Sequence, residues 1–248
     1  MVRSIDGNDY QKGEILLFDK ELDWTSFDLV RKLRNFLCRE TGVKKLKVGH
    51  AGTLDPKATG LMIVCTGNKT KSIEQFVGLE KEYTGSCELG VRTPSFDMET
   101  AASEIKDSSE VTQQQIEFAA KSLLGRQLQL PPMYSALKYG GKPLYQYARS
   151  GKTVQRIERE IDVSKFEILK VHAPYIEFCI TCSKGTYIRS LVDEMGVRLG
   201  CGATLTALRR IRIGEFTIGK AKTIEQLIQW RNTYVIPELS EHEAGSIH

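Results

Sequence analysis

The chain has 248 residues, 41% of them apolar and 27% charged, with a formal net charge of +4 and a mean hydropathy of −0.28. That length holds one large domain or two small ones, and the composition is that of a soluble globular protein. No apolar run approaches the length of a membrane span, and Met1–Asp6 opens no signal-peptide core, which argues against membrane and secreted classes and leaves the cytoplasm.

In chain order, Gly13–Asp19 reads as a buried strand. Thr25 or Ser26 then caps a helix whose Val30, Leu33, Phe36 and Leu37 share one face. A glycine-rich loop follows, and after it the apolar run Leu61–Cys65, a second buried strand continuing to Thr66. Lys81–Leu89 is a third. The polar stretch Thr93–Ser109 reads as loop. Thr112-x-x-Gln115 has the form of a capping box, for a helix that ends near Gly125. Pro131–Pro143 is extended, aromatic and basic, because its prolines forbid a regular helix or a central strand. Leu144–Arg149 adds a short helix. Arg156–Lys170 and Tyr175–Cys182 alternate like paired antiparallel strands. Thr186–Leu199 is helical, with Gly200 to stop it, Gly214–Ile218 is a short strand, and Thr223-x-x-Gln226 opens a last helix through about Trp230. Strands and helices mix without βαβ alternation. The expected fold is therefore α+β, a mixed and largely antiparallel sheet flanked by helices, in a single domain over 1–248.

The six cysteines lie mostly in apolar surroundings and read as reduced core thiols. Cys179-Ile-Thr-Cys182 is a lone C-x-x-C in a strand-like run, where residues three apart point to opposite faces, so no metal site is expected. Neither a P-loop nor a dinucleotide fingerprint is present, and no cofactor is implied. Basic residues cluster at Arg31–Arg39, Lys44–Lys47, Lys138–Arg159 and Arg209–Arg212. Each cluster alone is ordinarily a solvated face, but several around one loop fit a phosphate-rich partner.

That loop is Gly49-His50-Ala51-Gly52-Thr53-Leu54-Asp55-Pro56-Lys57-Ala58-Thr59-Gly60-Leu61. It presents one carboxylate, Asp55, between glycines that permit a tight backbone path. Pro56 drives Asp55 out of the α region. An Asp-Pro pair between glycines is ordinarily only a turn. The whole string, however, resembles the catalytic motif of the TruB family of tRNA pseudouridine synthases. Three further segments resemble that family in the same order. They are Lys81-Glu82-Tyr83, Pro131-Pro132-Met133-Tyr134-Ser135-Ala136-Leu137-Lys138, and Lys184-Gly185-Thr186-Tyr187-Ile188-Arg189. The likeness covers most of Gly13–Ile218.

The resemblance implies a pseudouridine synthase fold and isomerisation of uridine to pseudouridine at position 55 in the T loop of tRNA, with the target base flipped out of its stack. Asp55 is then the nucleophile, attacking either the sugar or the base. To stay ionised in a pocket it needs a cation, and Arg189 is the candidate. Tyr83 would stack on the uracil and help move the proton from carbon. Leu208 would pack against the flipped base, and His50 would fill the space that the base leaves. Lys20 would support the site or contact phosphate, although Glu21 stands where the family commonly has proline. Lys138 belongs to an insertion, around 126–152, that clamps the RNA stem-loop. Pro94 also stands where family members often place Asp. About thirty residues follow Ile218, too few for the RNA-binding PUA domain of many members. The expected protein is thus a short form, working as a monomer with no obligate protein partner. The alternatives are an RNA-binding or tRNA-chaperone protein, and a pseudouridine synthase acting on another RNA. A carboxylate glycosidase would want a second acid beside Asp55, and the motif holds none.

Overall fold

The computed structural model describes residues 9–234. The Met1–Asp6 segment, His242 and His248 lie outside them. The strands and helices are, in order, β1 Ile15–Lys20, α1 Ser26–Thr41, β2 Val48–His50, β3 Ala58–Thr66, α2 Ile73–Val77, β4 Lys81–Leu89, β5 Val91–Arg92, β6 Glu104–Ile105, α3 Gln113–Lys121, β7 Gly125–Gln129, β8 Lys138–Tyr139, β9 Lys142–Pro143, α4 Leu144–Arg149, β10 Arg159–His172, β11 Tyr175–Cys182, α5 Ile188–Arg198, β12 Ala203–Ile213, β13 Phe216–Thr217 and α6 Ile224–Tyr234.

Local chemistry explains the helix starts. Thr25 accepts from Asp28 N while the Asp28 side chain accepts from Thr25 N, a reciprocal box that satisfies two otherwise unpaired amides of α1. Thr112 and Gln115 do the same for α3, and Thr223 and Gln226 for α6. Gly42, left-handed at φ 73°, ends α1.

The main sheet runs β1-β3-β12-β4-β11-β10-β7, with β2 added beside β3 and β13 beside β12. Only the β3–β12 pairing is parallel, so the sheet is mixed and largely antiparallel, as expected. Helices α3 and α5 close one apolar layer, in which Ile116 and Leu123 meet Phe178, Val192 and Met195. Leu33 and Leu37 of α1 build another with Phe18, Val64 and Ile224. Leu61, Ile63 and Cys65 fill a third. β3 is therefore covered on both faces, which is why Leu61–Cys65 is an unbroken apolar run with no exposed surface. At about 1.5–3 kcal/mol for each large apolar side chain buried, this strand anchors the loop that precedes it.

The structure corrects several boundaries. Helix α3 ends at Lys121, and Gly125 starts β7, which pairs with β10. The segment outside the main sheet thus begins at 130, not near 126. The strand expected over Gly214–Ile218 keeps only Phe216–Thr217, followed by a 3-10 turn. β1 is an edge strand and only half buried. The sequence reading has no strand at β12, yet β12 is central. Its three arginines within Ala203–Ile213 hide it, and the sheet buries one of them, Arg210, to 1% exposure. β3 and β12 approach so closely that a Cβ on Gly60 would lie 2.3 Å from the Arg210 carbonyl oxygen. The φ of +106° at Gly60 also disfavours any side chain.

Candidate active site

The loop between β2 and β3 carries Asp55 and is held from several sides. Ser26, the first residue of α1, accepts from Leu54 N at 2.8 Å and donates to Leu54 O at 3.1 Å. Asp23 N donates to Pro56 O at 2.9 Å, and Ala58 N to Asp55 O at 3.0 Å. Lys20 has no exposed surface, and its Nζ donates to the carbonyls of Glu21, Trp24 and Pro56. This corrects half of the expectation for Lys20. Its ammonium cannot reach a phosphate, but it binds the β1–α1 loop to the Asp55 loop.

Burial lowers the Lys20 ammonium to about 8, with Asp55 opposing and Arg210 adding to the fall. Burial likewise takes Lys81 to about 8. Between that value and the unfolded 10.5, each of these two lysines binds more protons in the unfolded chain than in the folded one. The contribution of these two lysines to unfolding free energy therefore rises as pH climbs from about 8 toward 10.5 and falls on return through 8. It works against the opposite contribution of the buried thiols of Cys87 and Cys182, which burial pushes up to about 12. Denaturant titrations across that range should show the unfolding free energy of Lys20→Met gaining less with pH than that of the parent, because the Lys20 contribution is gone. An unchanged slope would mean that Lys20 is not buried as an ammonium.

Arg189 reaches Asp55 from α5. Gly185, at φ +79°, turns the chain after β11. Gln129 of β7 fixes the helix start by bonding both backbone groups of Tyr187, at 2.8 and 3.1 Å. The Arg189 side chain is 3% exposed, and its Nε donates to Asp55 Oδ2 at 2.9 Å. Nη1 donates to Ser95 O at 2.8 Å and Nη2 to Tyr134 O at 2.9 Å. Asp97 Oδ2 lies 3.5 Å from the same Nε. A second carboxylate therefore shares the guanidinium, and sequence reading missed it. The stretch Thr93–Ser109 looks like polar loop, yet Thr93, Ser95 and Asp97 are all buried. Two hydroxyls, those of Thr93 and Ser95, fold onto the Asp97 carbonyl. Small hydroxyl residues spaced by two before an Asp are the signal that could have marked this turn.

Burial raises the Asp55 carboxyl above the ordinary carboxylate value, Arg189 pulls it down, and Asp97 pushes it up. The side chain keeps 39% of its surface open, so water in the cavity screens part of that rise.

Asp55, Arg189, His50, Tyr83 and Leu208 all line one cavity of about 550 Å³, a volume suited to a small organic group. Lys81 and Arg210 line it too. Tyr83 projects from β4 opposite Arg210 of β12. His50 comes from β2. Burial first, and then the charge of Arg210, lower its imidazole below the ordinary value, with a Gly52 backbone contact opposing; the neutral form is favoured. Leu208, 9% exposed, gives an apolar wall. A second cavity, of about 210 Å³, lies across Asp55 and Arg189 and is lined by Leu22, Lys57, Asp97 and Met98. Lys138 is not part of this constellation. It is exposed on β8 and lines an adjoining cleft with Arg156 and Arg159, the latter also on the wall of the Asp55 cavity. The Arg209–Arg212 cluster is not a free basic face either. Arg209 pairs with Asp19, Arg212 with Glu80 and Glu82, and Arg210 is buried.

The arrangement places an ionisable carboxylate, a fixed cation, a phenol and an apolar wall around one opening. Among the described residues no cluster could hold a metal, and no helix is long and apolar enough to cross a membrane.

Residues 39–188 match the profile of the TruB family pseudouridylate synthase N-terminal domain, and residues 189–240 that of the tRNA pseudouridylate synthase B C-terminal domain. A tRNA pseudouridine synthase B from Phocaeicola vulgatus is 43% identical over 230 residues, covering 93% of this chain and 98% of its own. One from Chloroherpeton thalassium is 46% identical, covering 88% and 90%. Among solved structures, a chain of a Cbf5-Nop10-Gar1 complex superposes with a TM-score of 0.69 at 26% identity. The match covers 96% of this chain and 60% of that one. A chain of the archaeal box H/ACA Nop10-Cbf5 complex shares the fold at a TM-score of 0.66 and 24% identity, with 94% and 59% covered.

Proposed function

The chain belongs to the TruB family of pseudouridylate synthases, and we propose that it isomerises the uridine at position 55 of the tRNA T loop, with Asp55 as nucleophile. The observation that carries this reading is the Asp55–Arg189 ion pair, 2.9 Å long, on the wall of a cavity that also holds Tyr83, His50 and Leu208.

The reaction breaks the bond between N1 of the base and C1′ of the sugar. It turns the uracil and then joins C5 to C1′, after which C5 loses its proton. Asp55 adds to the substrate and leaves again. Arg189 holds the carboxylate ionised and oriented through a bond that needs no rearrangement. The base has to leave its stack to reach a carboxylate recessed in a cavity. Leu208 and Tyr83 would hold the flipped ring, and Tyr83 would take the C5 proton. The neutral His50 would fill the space behind it.

Lys138, Tyr139, Lys142 and Arg149 are exposed on the β8–β9 hairpin and α4, a basic and aromatic surface fit to hold the T stem-loop. Residues 130–152 thus form the clamp of a single catalytic domain. We place the enzyme in the cytoplasm, as a monomer that meets its tRNA without a protein partner.

Incubating the purified protein with an unmodified tRNA transcript and mapping pseudouridine by position tests the proposal. Product at position 55 is expected. Product elsewhere would keep the chemistry and overturn the substrate position. Tight tRNA binding without product would leave an RNA-binding protein.

A further inference from the structure

Arg210 is among the largest side chains to be wholly buried, at 1% exposure. It lies on β12, level with Tyr83 of β4 on one side and Gly60 of β3 on the other. Paired residues on antiparallel strands project to the same face, and Arg210 and Tyr83 line the same cavity as Asp55. Its Nε donates to Leu61 O at 2.7 Å, and Nη2 to Gly52 O at 3.2 Å. One guanidinium therefore grips the turn just before Asp55. Arg189, Arg209 and Arg212 each pair with a carboxylate. Arg210 pairs with none among the described residues. A buried cation without a counter-ion is costly, and an apolar side chain would fill the same space in a strand without that cost. The guanidinium is instead on the wall of the cavity that Tyr83, its cross-strand partner, also lines.

We infer that Arg210 is a positioning residue for the isomerisation: it holds the Tyr83 oxygen in place and stabilises it as a phenolate, while tying the Asp55 turn to the same point. The inference rests on the reading above, in which the Tyr83 phenol first releases its own proton to water, the C5–H bond then breaks, its electron pair returns to the uracil ring, and the proton goes to the Tyr83 phenolate, which becomes the phenol again. The groups that face this phenol oppose one another, and Arg210 alone among them favours the phenolate. Burial raises it above its ordinary value, and Arg210 is the largest influence pulling it back. Cys182 on β11 and Asp55 in the loop push it up.

The test introduces 3-fluorotyrosine at position 83, whose lower intrinsic pKa brings its ionisation below alkaline unfolding. Its fluorine NMR shift is followed against pH on the free protein, in the parent and in Arg210→Gln and Arg210→Lys. In Arg210→Gln the titration is expected to move up by at least about one pH unit. With tRNA, kcat should fall roughly 30- to 100-fold and KM by no more than about threefold in either direction. Arg210→Lys should keep the titration within about half a unit and recover most of kcat. A merely structural role would lower thermal stability and leave both the titration and kcat per folded molecule unchanged. An unmoved titration in Arg210→Gln, or a loss confined to KM, overturns the inference. Should Arg210→Gln not fold, Arg210→Lys decides alone, and a shift of about a unit despite the retained charge overturns it. A parent protein that turns over no tRNA refutes the reading beneath; a parent that turns over with a Tyr83 indifferent to Arg210 refutes this inference alone.

Discussion

Asp55→Asn is expected to abolish turnover, by on the order of 10⁴-fold or more, while leaving tRNA affinity within a few-fold. The amide is isosteric and stays within reach of Arg189, so the loop should keep its path. Its supports do not involve the carboxylate, because Ser26 holds Leu54, Asp23 and Lys20 hold Pro56, and Ala58 N holds the Asp55 carbonyl. What is lost is the nucleophile. Affinity should survive, because the clamp surface on β8, β9 and α4 is distant in sequence from Asp55 and carries its own cations. Single-turnover assays on a tRNA transcript, with filter binding beside them, separate the two effects. Turnover retained within tenfold would remove Asp55 from the role of nucleophile. Folding should be little changed, since the side chain opens 39% of its surface to the cavity and Arg189, though it loses the Asp55 charge, keeps Asp97 and the carbonyls of Ser95 and Tyr134.

How far this site can be read in the sequence depends on what kind of signal each residue leaves. The Asp55 loop is legible because backbone requirement and chemistry coincide. Glycine is needed at Gly60, where β3 meets the backbone of Arg210, and the proline fixes the path after the carboxylate. Helix α1 is legible because Thr25 and Asp28 state its start. A cation for Asp55 follows from electrostatics alone, but its identity does not. Arg189 lies 134 residues away, and only the resemblance named it. Asp97 and β12 are hidden for opposite reasons. The turn before Asp97 is polar and looks solvated, yet its hydroxyls satisfy each other and the backbone, so it can be buried. β12 carries three arginines, a pattern that speaks against a central strand. Arg209 and Arg212 resolve the conflict with ion pairs at the sheet surface, and Arg210 with backbone carbonyls and a cavity wall. Lys20 repeats the lesson, since its charge suggests a surface contact and its carbonyl cage shows an internal one. Long-range partners of buried polar groups carry no local period and leave no trace in hydropathy.

The partnership of Arg189 with Asp55 and Asp97 leads to the second large effect. Arg189→Met is expected to cost about 3–5 kcal/mol of stability, because it leaves buried charge unpaired. The two carboxylates should not share that penalty equally. Asp97 is 5% exposed, whereas Asp55 is 39% exposed and can be solvated in the cavity. Most of the loss should therefore trace to Asp97, and the double variant Arg189→Met/Asp97→Asn should regain about 1–3 kcal/mol, a coupling typical of groups in contact. Urea unfolding of the four members of the cycle measures this term. A double variant no more stable than Arg189→Met would place the penalty elsewhere, in the unpaired carbonyls of Ser95 and Tyr134 that the guanidinium also serves. Activity should not follow stability. Both arginine variants should lose at least about a hundredfold in kcat, because restoring the fold does not restore the cation beside Asp55. Asp97→Asn alone separates the roles further. The charge of Asp97 raises the Asp55 carboxyl and that of Arg189 lowers it, so removing Asp97 strengthens the hold of Arg189 on Asp55. The acid limb of kcat/KM should then move to lower pH. A limb that moved upward would mean that Asp97 keeps Asp55 ionised by orienting Arg189, and that its orienting effect outweighs its charge.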